Sequence, residues 1–351
     1  TAKEEDQLCE KIDFLEKQKD KAYKLTPKSQ YPQLPKDYLQ THENRFLRFI
    51  AKARECDKAQ SAFIEGLLKY VHKGRIHAEI NQIRSEFKGT VTGRFSMSNP
   101  NLQQIPAKGL IGKKMRELFL PEEGYQWGSF DYSQQEPRLV VHYALKNKLP
   151  GADILGDAYN KDPATDFHKI VADMADIPRG QAKTINLGLF YGMGKGKLQS
   201  ELGVSEEKAA ELFSQYHNKV PFVKQLMSKA SNRAQERGQI RTLLGRACHF
   251  DLWQPVQFGV FKPLPLEQAR KNYDEPLKRA FTYKALNKLI QGSAADMTKK
   301  SMVALYKKGI IPHIQIHDEV DISVESDKKA EQIVQIMEEA VVLQVPNKVD
   351  Y

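Results

Sequence analysis

The sequence predicts an α+β fold in which an antiparallel sheet is combined with many helices. Residues 314–316 and 320–324 alternate apolar and polar side chains, as half-buried strands do, and a short turn separates them. Residues 125–130 form a third strand-like run. Helical periodicity dominates residues 1–75 and much of the chain between about 150 and 284. The predicted strands of the hairpin therefore lie far along the chain from the third strand.

The remaining elements follow from the same patterns. Residues 1–75 are rich in Lys, Glu and Leu at helical spacing, which predicts a helical lobe, and the polar, irregular stretch from Lys73 to Pro106 predicts loops. The C-terminal part, residues 285–351, predicts a helix, the hairpin, a second helix and the start of another strand at 341–345. Between these parts, helices are expected at 164–177, 179–191, 205–217 and 220–237.

The composition is ordinary for a soluble protein and favours an acidic partner. The 351 residues are 40% hydrophobic and 28% charged, and no run approaches the roughly 20 apolar residues of a membrane span. The charged start, residues 1–20, is unlike a signal peptide, and three widely spaced cysteines indicate a reduced, cytosolic protein. The net charge of +10 favours nucleic acid, although a merely basic protein fits the composition equally well.

Two aspartates lie at the ends of predicted strands. Asp131 follows the strand-like run 125–130, and Asp318 lies at the tip of the predicted hairpin. Two carboxylates held at rigid strand ends can share divalent cations, which is what a magnesium-dependent phosphoryl-transfer site needs. Acidic residues at strand ends are usually just solvated turn residues, so either aspartate alone is weak support for a metal site.

The predicted helix after Pro178 carries one continuous stripe of functional side chains. Residues four apart drift only about 40° around a helix axis, so Arg179, Lys183, Leu187 and Tyr191 share a face. Two cations about 6 Å apart near a helix N-terminus suit a polyphosphate, and an aromatic face suits a base. The alternative is an amphipathic helix with simply exposed cations.

Three segments, in one order along the chain, resemble the motifs of family A DNA polymerases, the bacterial DNA polymerase I type. Motif A is matched by residues 131–138 (DYSQQEPR), motif B by 179–192 (RGQAKTINLGLFYG) and motif C by 316–319 (IHDE). Supporting matches are TGR at 92–94, NPNLQ at 99–103, DFH at 166–168, LGR at 244–246 and QGSAAD at 291–296. The likeness covers nearly the whole chain, from about Lys73 onward by motif and before it by position.

The resemblance implies a right-hand polymerase fold, with an antiparallel sheet in the palm and helical fingers and thumb. It predicts a thumb at residues 1–75, a palm at 76–145 and 285–351, and fingers at 146–284. The implied activity is template-directed DNA synthesis, in which dNTPs are added to a primer 3′-hydroxyl with two Mg²⁺ ions and release of pyrophosphate. The implied partners are primer-template DNA and dNTPs, for a monomer in the cytoplasm of a bacterium or a phage-infected cell, with no membrane association.

The resemblance also implies roles for individual residues. Asp131, Asp318 and the Tyr132 backbone carbonyl would be metal ligands, with Glu319 tuning the site. Lys183 would protonate the leaving group. Nucleotide contacts are implied for Tyr132, Gln134, Glu136, His168, Arg179, Lys183, Leu187 and Tyr191. Contacts to primer and template, mostly through backbone and minor-groove atoms, are implied for Arg94, Asn101, Gln104, Asn287, Gln291 and His317.

The resemblance implies a steric role for two of these positions. At other positions the sequence differs from the family pattern. Glu136 resembles the steric gate that excludes a ribose 2′-hydroxyl, and Tyr191 would guard the template base. Leu187 stands where the family usually carries Phe or Tyr. Gln135 and Pro137 replace apolar residues of motif A, and Gly180 replaces a second cation. About 90 residues precede the TGR motif, too few for a thumb and a proofreading exonuclease domain, so no such domain is expected in the chain shown.

Two rival functions remain open at this point. A single-subunit RNA polymerase or reverse transcriptase would use a similar palm, but Glu136 argues against ribonucleotides and IHDE is the DNA-polymerase form of motif C. A catalytically idle DNA-binding remnant would not need both aspartates, Arg179 and Lys183. The unusual Leu187 and the compact form favour a phage enzyme. Processivity and replisome partners cannot be predicted.

Overall fold

The computed structural model describes most of the chain after residue 33. The described ranges are 34–82, 89–106, 109–190, 202–257 and 259–351, together with positions 196 and 199. Two units are distinguished: the first spans Thr1–His77 and Ile105–Leu118, and the second spans Ala78–Gln104 and Phe119–Tyr351. Within the described ranges, no helix is long and apolar enough to cross a membrane. The first 33 residues of the predicted N-terminal lobe lie outside the described part.

Helices dominate the first unit, as the sequence predicts. Asn44 starts one of them by accepting a hydrogen bond from the Phe46 N–H. A two-residue turn, Lys73 and Gly74, joins two short strands, and both residues have the positive φ that such turns favour. The elements of this unit are α1 (Lys36–Thr41), α2 (Arg45–Lys58), a π-helical stretch (Ala59–Glu65), α3 (Gly66–Leu68), β1 (Val71–His72), β2 (Arg75–Ile76) and α4 (Gly109–Arg116).

The second unit contains the remaining strands and helices. Its strands are β3 (Glu79–Asn81), β4 (Ser96–Ser98), β5 (Gln126–Tyr132), β6 (Gln239–Arg241), β7 (Ala247–His249), β8 (Leu252–Pro255), β9 (Leu264–Pro265), β10 (Leu277–Arg279), β11 (Ile314–Ile316), β12 (Glu319–Val324) and β13 (Val349–Asp350). Its longer helices are α5 (Gln135–Lys146), α6 (Ala152–Lys161), α7 (Phe167–Ala175), α8 (Arg179–Phe190), α9 (Glu206–Lys219), α10 (Pro221–Arg237), α11 (Leu266–Asn272), α12 (Ala285–Lys307) and α13 (Asp327–Glu339). Helices α7 to α10 lie close to their predicted bounds.

A four-stranded antiparallel sheet in the order β11-β12-β5-β13 forms the centre of the second unit. The predicted hairpin and the predicted strand near residue 125 are both confirmed as neighbours in this sheet. Phe130, Val320 and Ile322 are almost completely buried. A β-carbon at Gly128 would lie 2.6 Å from the Val324 side chain and 2.8 Å from the Phe130 ring, so the glycine lets this region pack closely.

Helices from both ends of the unit cover this sheet. Helix α12 packs against α5, α10 and α13, and α13 also contacts β12 and β13. Helix α5 is buried along most of its length, with Leu139, Val140 and Val141 fully enclosed. Because α5 follows β5 directly, burying this helix fixes the end of the strand on which Asp131 lies.

The strand predicted at residues 341–345 is wrong. Burial does alternate there, with Val341, Leu343 and Val345 inside, which explains the prediction. The backbone, however, bonds to side chains instead of a neighbouring strand: the Gln344 N–H donates to Nδ1 of His142, and Val341 O accepts from an amide side chain at residue 347. The edge strand begins later, at Val349.

Arg138 joins three segments around the end of β5. Its side chain is 1% exposed, and its guanidinium donates to the carbonyl oxygens of Ser133, Pro346 and Pro163 at 2.8, 2.7 and 2.6 Å. The guanidinium carbon also lies 4.5 Å from the centre of the Tyr159 ring. A planar guanidinium with five N–H donors can satisfy several carbonyls at once. Arg138 therefore holds together the turn after β5, the loop before α7 and the loop before β13.

We expect Arg138→Met to lower the free energy of unfolding by about 3 kcal/mol, because it leaves buried carbonyls without donors. Urea denaturation followed by tryptophan fluorescence measures this change, since Trp127 lies within β5. Arg233→Met, at an exposed position of α10, is the matched control and should change stability by less than about 0.5 kcal/mol. Equal small effects of both substitutions would contradict the role assigned to Arg138.

Candidate active site

Strand pairing brings the two aspartates of the predicted metal site together. In the register of β5 and β12, Asp131 lies opposite Glu319. Asp318 immediately precedes Glu319, and its backbone carbonyl accepts a hydrogen bond from the Tyr132 N–H at 3.4 Å. On the other side of β5, Asp350 in β13 also lies opposite Asp131. Asp131 is therefore surrounded by acidic residues from the hairpin and from the edge strand.

The turns beside the two aspartates hold unusual backbone conformations. His317, in the two-residue hairpin turn, has a φ of 58°, and Gln134, at the start of α5, has a φ of 52°. Left-handed backbone is uncommon for residues other than glycine and is found often at functional sites. Hydrogen bonds support both turns, since Gln315 Nε2 donates to the His317 carbonyl and the Arg138 N–H donates to the Gln134 carbonyl.

The acidic cluster carries more negative charge than its surroundings neutralise. Residue Asp131 is exposed as a whole, but loss of hydration around its carboxyl group, together with the nearby carboxylates of Asp318, Glu319 and Asp350, raises its pKa to about 7. Burial also raises the pKa of Asp318, although the positive charge of Arg94 opposes that rise. A bound cation would stabilise the ionised form of both carboxylates.

The donor set fits a divalent cation held by two carboxylates. In the described part of the chain, no group of three or more His, Cys, Asp or Glu side chains is arranged to hold a metal ion. Mg²⁺ does not need one, since it commonly binds one or two carboxylates plus waters and substrate phosphates. The Tyr132 hydroxyl is buried between Ser301 and the Met337 carbonyl, so only the backbone carbonyl of Tyr132 is left as a ligand candidate.

Helices α7 and α8 bring together three side chains that suit an anion, those of His168, Arg179 and Lys183. Asp166 caps α7 by accepting from the N–H groups of His168 and Lys169, and its other oxygen accepts from Arg179 Nε at 2.7 Å. Arg179 and Lys183 are exposed and lie one turn apart at the start of α8. Leu187 follows on the same face and is half-buried. Tyr191 and Gly192 lie outside the described residues.

Gln134 connects the segment that carries His168 to the aspartates. Its side-chain oxygen accepts from the Phe167 N–H at 2.9 Å, and its side-chain nitrogen donates to the Thr165 carbonyl at 2.8 Å. The Gln134 amide, which the family resemblance predicts to contact the nucleotide, is thus engaged with the loop before α7. Because Gln134 lies three residues after Asp131, the aspartate and the His168 segment are fixed relative to each other.

Glu136, the predicted steric gate, forms an ion pair with Arg94. The distance between Arg94 Nη2 and Glu136 Oε1 is 2.5 Å, and both side chains are largely buried. A carboxylate fixed in this way has few alternative rotamers, and Arg94 also lies near enough to Asp318 to lower its pKa. The guanidinium group of Arg94 therefore interacts with two carboxylates of the candidate site.

The predicted DNA-contacting residues other than Arg94 fall on three elements of the second unit. Asn101 and Gln104 belong to an exposed turn around the 3₁₀ helix Leu102–Gln104, which Gln103 ties to β11 through the Gln315 carbonyl at 3.2 Å. Asn287 and Gln291 lie one turn apart on α12 and are half-buried. His317 is exposed beside Asp318.

Sequence reasoning missed the residues that hold this site in place. Arg138, Asp166, Asn186, Tyr216 and Asp350 received no site role, although each contacts a predicted site residue or its segment. Only Asp166 carries a local signal, because an aspartate directly before an apolar helical run is a typical N-cap. The others act through contacts between distant parts of the chain.

Comparisons with known proteins agree with this geometry. Residues 5–351 match the profile described as DNA polymerase family A. A "DNA-directed DNA polymerase" of Pseudomonas phage M6 is 34% identical, over 91% of this chain and 52% of that protein. A "DNA polymerase I" of Geobacillus stearothermophilus is 34% identical, over 88% of this chain and 34% of its own length. The chain spans about half the length of the first of these relatives, and less of the second.

A solved structure extends the likeness to three dimensions. The structure titled "POL domain of Pol1 from M. smegmatis complex with DNA primer-template and dNTP" superposes with a TM-score of 0.74 at 28% identity, covering 93% of this chain and 57% of that one. Fold, strand-end carboxylates and sequence thus define a polymerase domain of the mixed α and β type. The chain belongs to DNA polymerase family A.

Proposed function

We propose that this chain catalyses template-directed DNA synthesis, adding dNTPs to the 3′-hydroxyl of a primer and releasing pyrophosphate. The observation that supports it most is the hydrogen-bonded connection between Asp131 and the phosphate-binding group. Strand pairing sets Asp131 beside Asp318 and Glu319, and Gln134 ties the same turn to the segment that carries His168. Cation-binding and triphosphate-binding residues therefore belong to one rigid arrangement.

The residues of the chain would divide the chemistry between them. Asp131, Asp318 and the Tyr132 carbonyl would hold two Mg²⁺ ions, and Glu319 would tune their charge. Bound Mg²⁺ supplies activation of the attacking hydroxyl and stabilisation of the charge that develops on the phosphates.

The anion-binding group would act on the other end of the nucleotide. His168, Arg179 and Lys183 would bind the triphosphate at the N-terminal end of α8, where the helix dipole also favours anions. Lys183 would then donate a proton to the leaving pyrophosphate. Gly180, beside Arg179, leaves this end with one cation fewer than the family pattern.

Shape selection would come from the residues around the sugar and the base. Glu136 would exclude a 2′-hydroxyl, Leu187 would lie beside the sugar, and Tyr191 would guard the template base. Contacts to primer and template would come from Arg94, Asn101, Gln104, Asn287, Gln291 and His317. Dispersed contacts of this kind, directed to backbone and minor-groove atoms, bind any sequence.

The same proposal assigns the regions of the chain and its partners. Residues 1–75 would form the thumb, 76–145 and 285–351 the palm, and 146–284 the fingers. Support for primer-template DNA and dNTPs as ligands comes from the mycobacterial relative, whose title names both, and from the net charge of +10. We infer a monomer that acts in the cytoplasm of a bacterium or a phage-infected cell.

Replacing either metal-binding aspartate tests the proposal directly. We expect Asp131→Ala and Asp318→Ala each to lower primer extension at least about a thousandfold, because metal-assisted charge stabilisation contributes several kcal/mol. DNA affinity, which rests on many phosphate contacts, should change little. Asp157→Ala, an exposed position on α6, is the control and should retain full activity. Near-normal primer extension by either active-site variant would contradict the assignment of these aspartates as ligands of two metal ions.

Glu136 allows a test against an RNA-synthesising function. We expect Glu136→Ala to raise ribonucleotide insertion markedly relative to dNTP insertion, because the space filled by the carboxylate becomes available to a 2′-hydroxyl. Single-nucleotide insertion kinetics with matched dNTP and NTP give this ratio. Arg94→Ala keeps the Glu136 side chain but breaks the ion pair that fixes it, so it should raise the ratio much less than Glu136→Ala does. If both variants change the ratio equally, the ion pair and not the carboxylate bulk decides it.

Leu187 is expected to set the response to nucleotides that lack a 3′-hydroxyl. Its side chain lies one turn beyond Lys183 and offers bulk without a hydroxyl. We therefore expect wild-type enzyme to discriminate against dideoxynucleotides and Leu187→Tyr to reduce that discrimination markedly, since the phenol can replace the missing hydrogen bond. The ratio of dNTP to ddNTP insertion rates measures this.

Leu187→Phe is the matched control for the hydroxyl. It adds the ring without the phenolic oxygen, so it should keep the discrimination while changing the insertion rate. If Leu187 only packs the helix, Leu187→Tyr would lower activity with every nucleotide equally. The ratio of dNTP to ddNTP insertion rates would then stay unchanged.

A further inference from the structure

A buried chain of hydrogen bonds leads from α9 through α8 to the His168 ring. Asn186 is completely buried on α8, and its side-chain nitrogen lies 3.1 Å from Nδ1 of His168. The side-chain oxygen of Asn186 accepts a hydrogen bond from the hydroxyl of Tyr216, which is also completely buried. The three side chains come from α7, α8 and α9. Neither Asn186 nor Tyr216 is open to solvent, so neither can reach a nucleotide itself.

The chemistry of this chain fixes the direction of each hydrogen bond. The Tyr216 hydroxyl donates to the Asn186 side-chain oxygen, and it keeps its proton because burial raises the pKa of Tyr216 above the ordinary value for a phenol. The Asn186 oxygen is thereby engaged, and its NH₂ group must face the ring. An NH₂ group only donates, so Nδ1 of His168 accepts. In a neutral imidazole, the proton is then on Nε2.

We propose that Tyr216 and Asn186 are positioning residues that orient the His168 ring and keep its proton on Nε2, so that Nε2–H is the donor presented to the nucleotide phosphates. This inference rests on the proposed function, in which His168 binds the triphosphate. Without Tyr216, the Asn186 amide could turn over so that its oxygen accepts a hydrogen bond from Nδ1–H of the ring. The ring would then present a bare Nε2, which repels phosphate oxygens.

The charges around His168 make the neutral ring the relevant form. Loss of hydration lowers the pKa of His168, and the cations Arg179 and Lys183 add to that lowering, while Asp166 opposes it. A neutral ring can donate only one hydrogen bond from its nitrogens, so which nitrogen carries the proton decides whether the phosphate is bound. The backbone N–H of His168 is already held by Asp166 Oδ1 at 2.9 Å, and Nδ1 of the ring faces Asn186, so Nε2–H is the donor that would be presented to a phosphate.

The position of the proton can be observed directly. Long-range ¹H–¹⁵N correlation spectra of protein labelled in histidine distinguish the two neutral tautomers, and loss of signals in His168→Ala assigns the residue. We expect the Nε2–H tautomer in wild type and a mixture of tautomers in Tyr216→Phe. Asn186→Asp should move the proton to Nδ1 and raise the pKa of His168, because a carboxylate accepts from the ring. Tyr143→Phe, which removes a half-buried hydroxyl bonded to Ser293, should leave the His168 signals unchanged.

Steady-state insertion kinetics supply the second readout. Tyr216→Phe should raise KM for dNTP about fivefold, the effect of losing one well-placed hydrogen bond, with kcat nearly unchanged because ground-state binding is affected. Tyr143→Phe should leave both constants unchanged. A role in folding alone would instead lower the active fraction and kcat, with the tautomer intact.

Two results would overturn the inference, and they differ in what they say of the proposed function. If His168→Ala raises KM for dNTP but Tyr216→Phe changes neither the tautomer nor KM, the positioning role is wrong and the triphosphate role of His168 stands. If His168→Ala itself leaves KM for dNTP unchanged, both the positioning role and the proposed triphosphate contact fail.

Discussion

The candidate site depends on the register between β5 and β12. Six residue pairs, from Glu319 opposite Asp131 to Val324 opposite Gln126, define it. Because side chains alternate between the two faces of a strand, a shift of one residue would carry Asp131 to the opposite face from its acidic neighbours. A polar pair fixes the register from within, since Ser129 donates to the buried carboxylate of Asp321 at 2.7 Å. A shifted strand would lose that bond in a place where water cannot replace it.

A second set of contacts fixes the positions of helices relative to the sheet. Arg138 binds carbonyls of the turn after β5, of the loop before α7 and of the loop before β13. Gln134 binds the first turn of α7, and α7 binds α8 through Asp166 and Arg179. Each contact either involves a charged group or consists of two hydrogen bonds, and such contacts tolerate little displacement. Hydrogen bonds therefore connect the turn after Asp131 to α7, and α7 to the face of α8 that carries Arg179.

Periodicity and family motifs predicted the elements but not these links. The hairpin at 314–324 and the helix beginning at Arg179 follow from local patterns, because burial of one face imposes a period of 2 or 3.6 residues. The strand at 341–345 was wrong for the same reason: its burial alternates, but its backbone groups are satisfied by side chains of other segments. An alternating pattern of side chains indicates which residues are buried. A β-strand forms only where the backbone also pairs with a neighbouring strand.

The links themselves join residues that are distant in sequence. Tyr216 and Asn186 are 30 residues apart, and Gln103 and Gln315 are 212 apart. No property of either residue alone reveals such a partner. Gln135 and Pro137, the unusual residues of motif A, are explained only in three dimensions: both are buried, and the Gln135 amide donates to the Thr298 hydroxyl at 3.2 Å. The polar substitution is thus accommodated by a polar partner on α12.

Two pairs of charged residues in the described part of the second unit differ in how their charge is satisfied. Arg138 and Arg246 are surrounded by acceptors; Arg246 donates to Asp296 and to the carbonyls of Thr92 and Gly292. Their charges are satisfied within the protein, as expected for structural groups. Burial raises the pKa values of Asp131 and Asp318, and nearby carboxylates add to that rise. The two arginines are thus satisfied by acceptors within the protein, whereas the two adjacent carboxylates have no such partner set and would be stabilised in their ionised form by a cation.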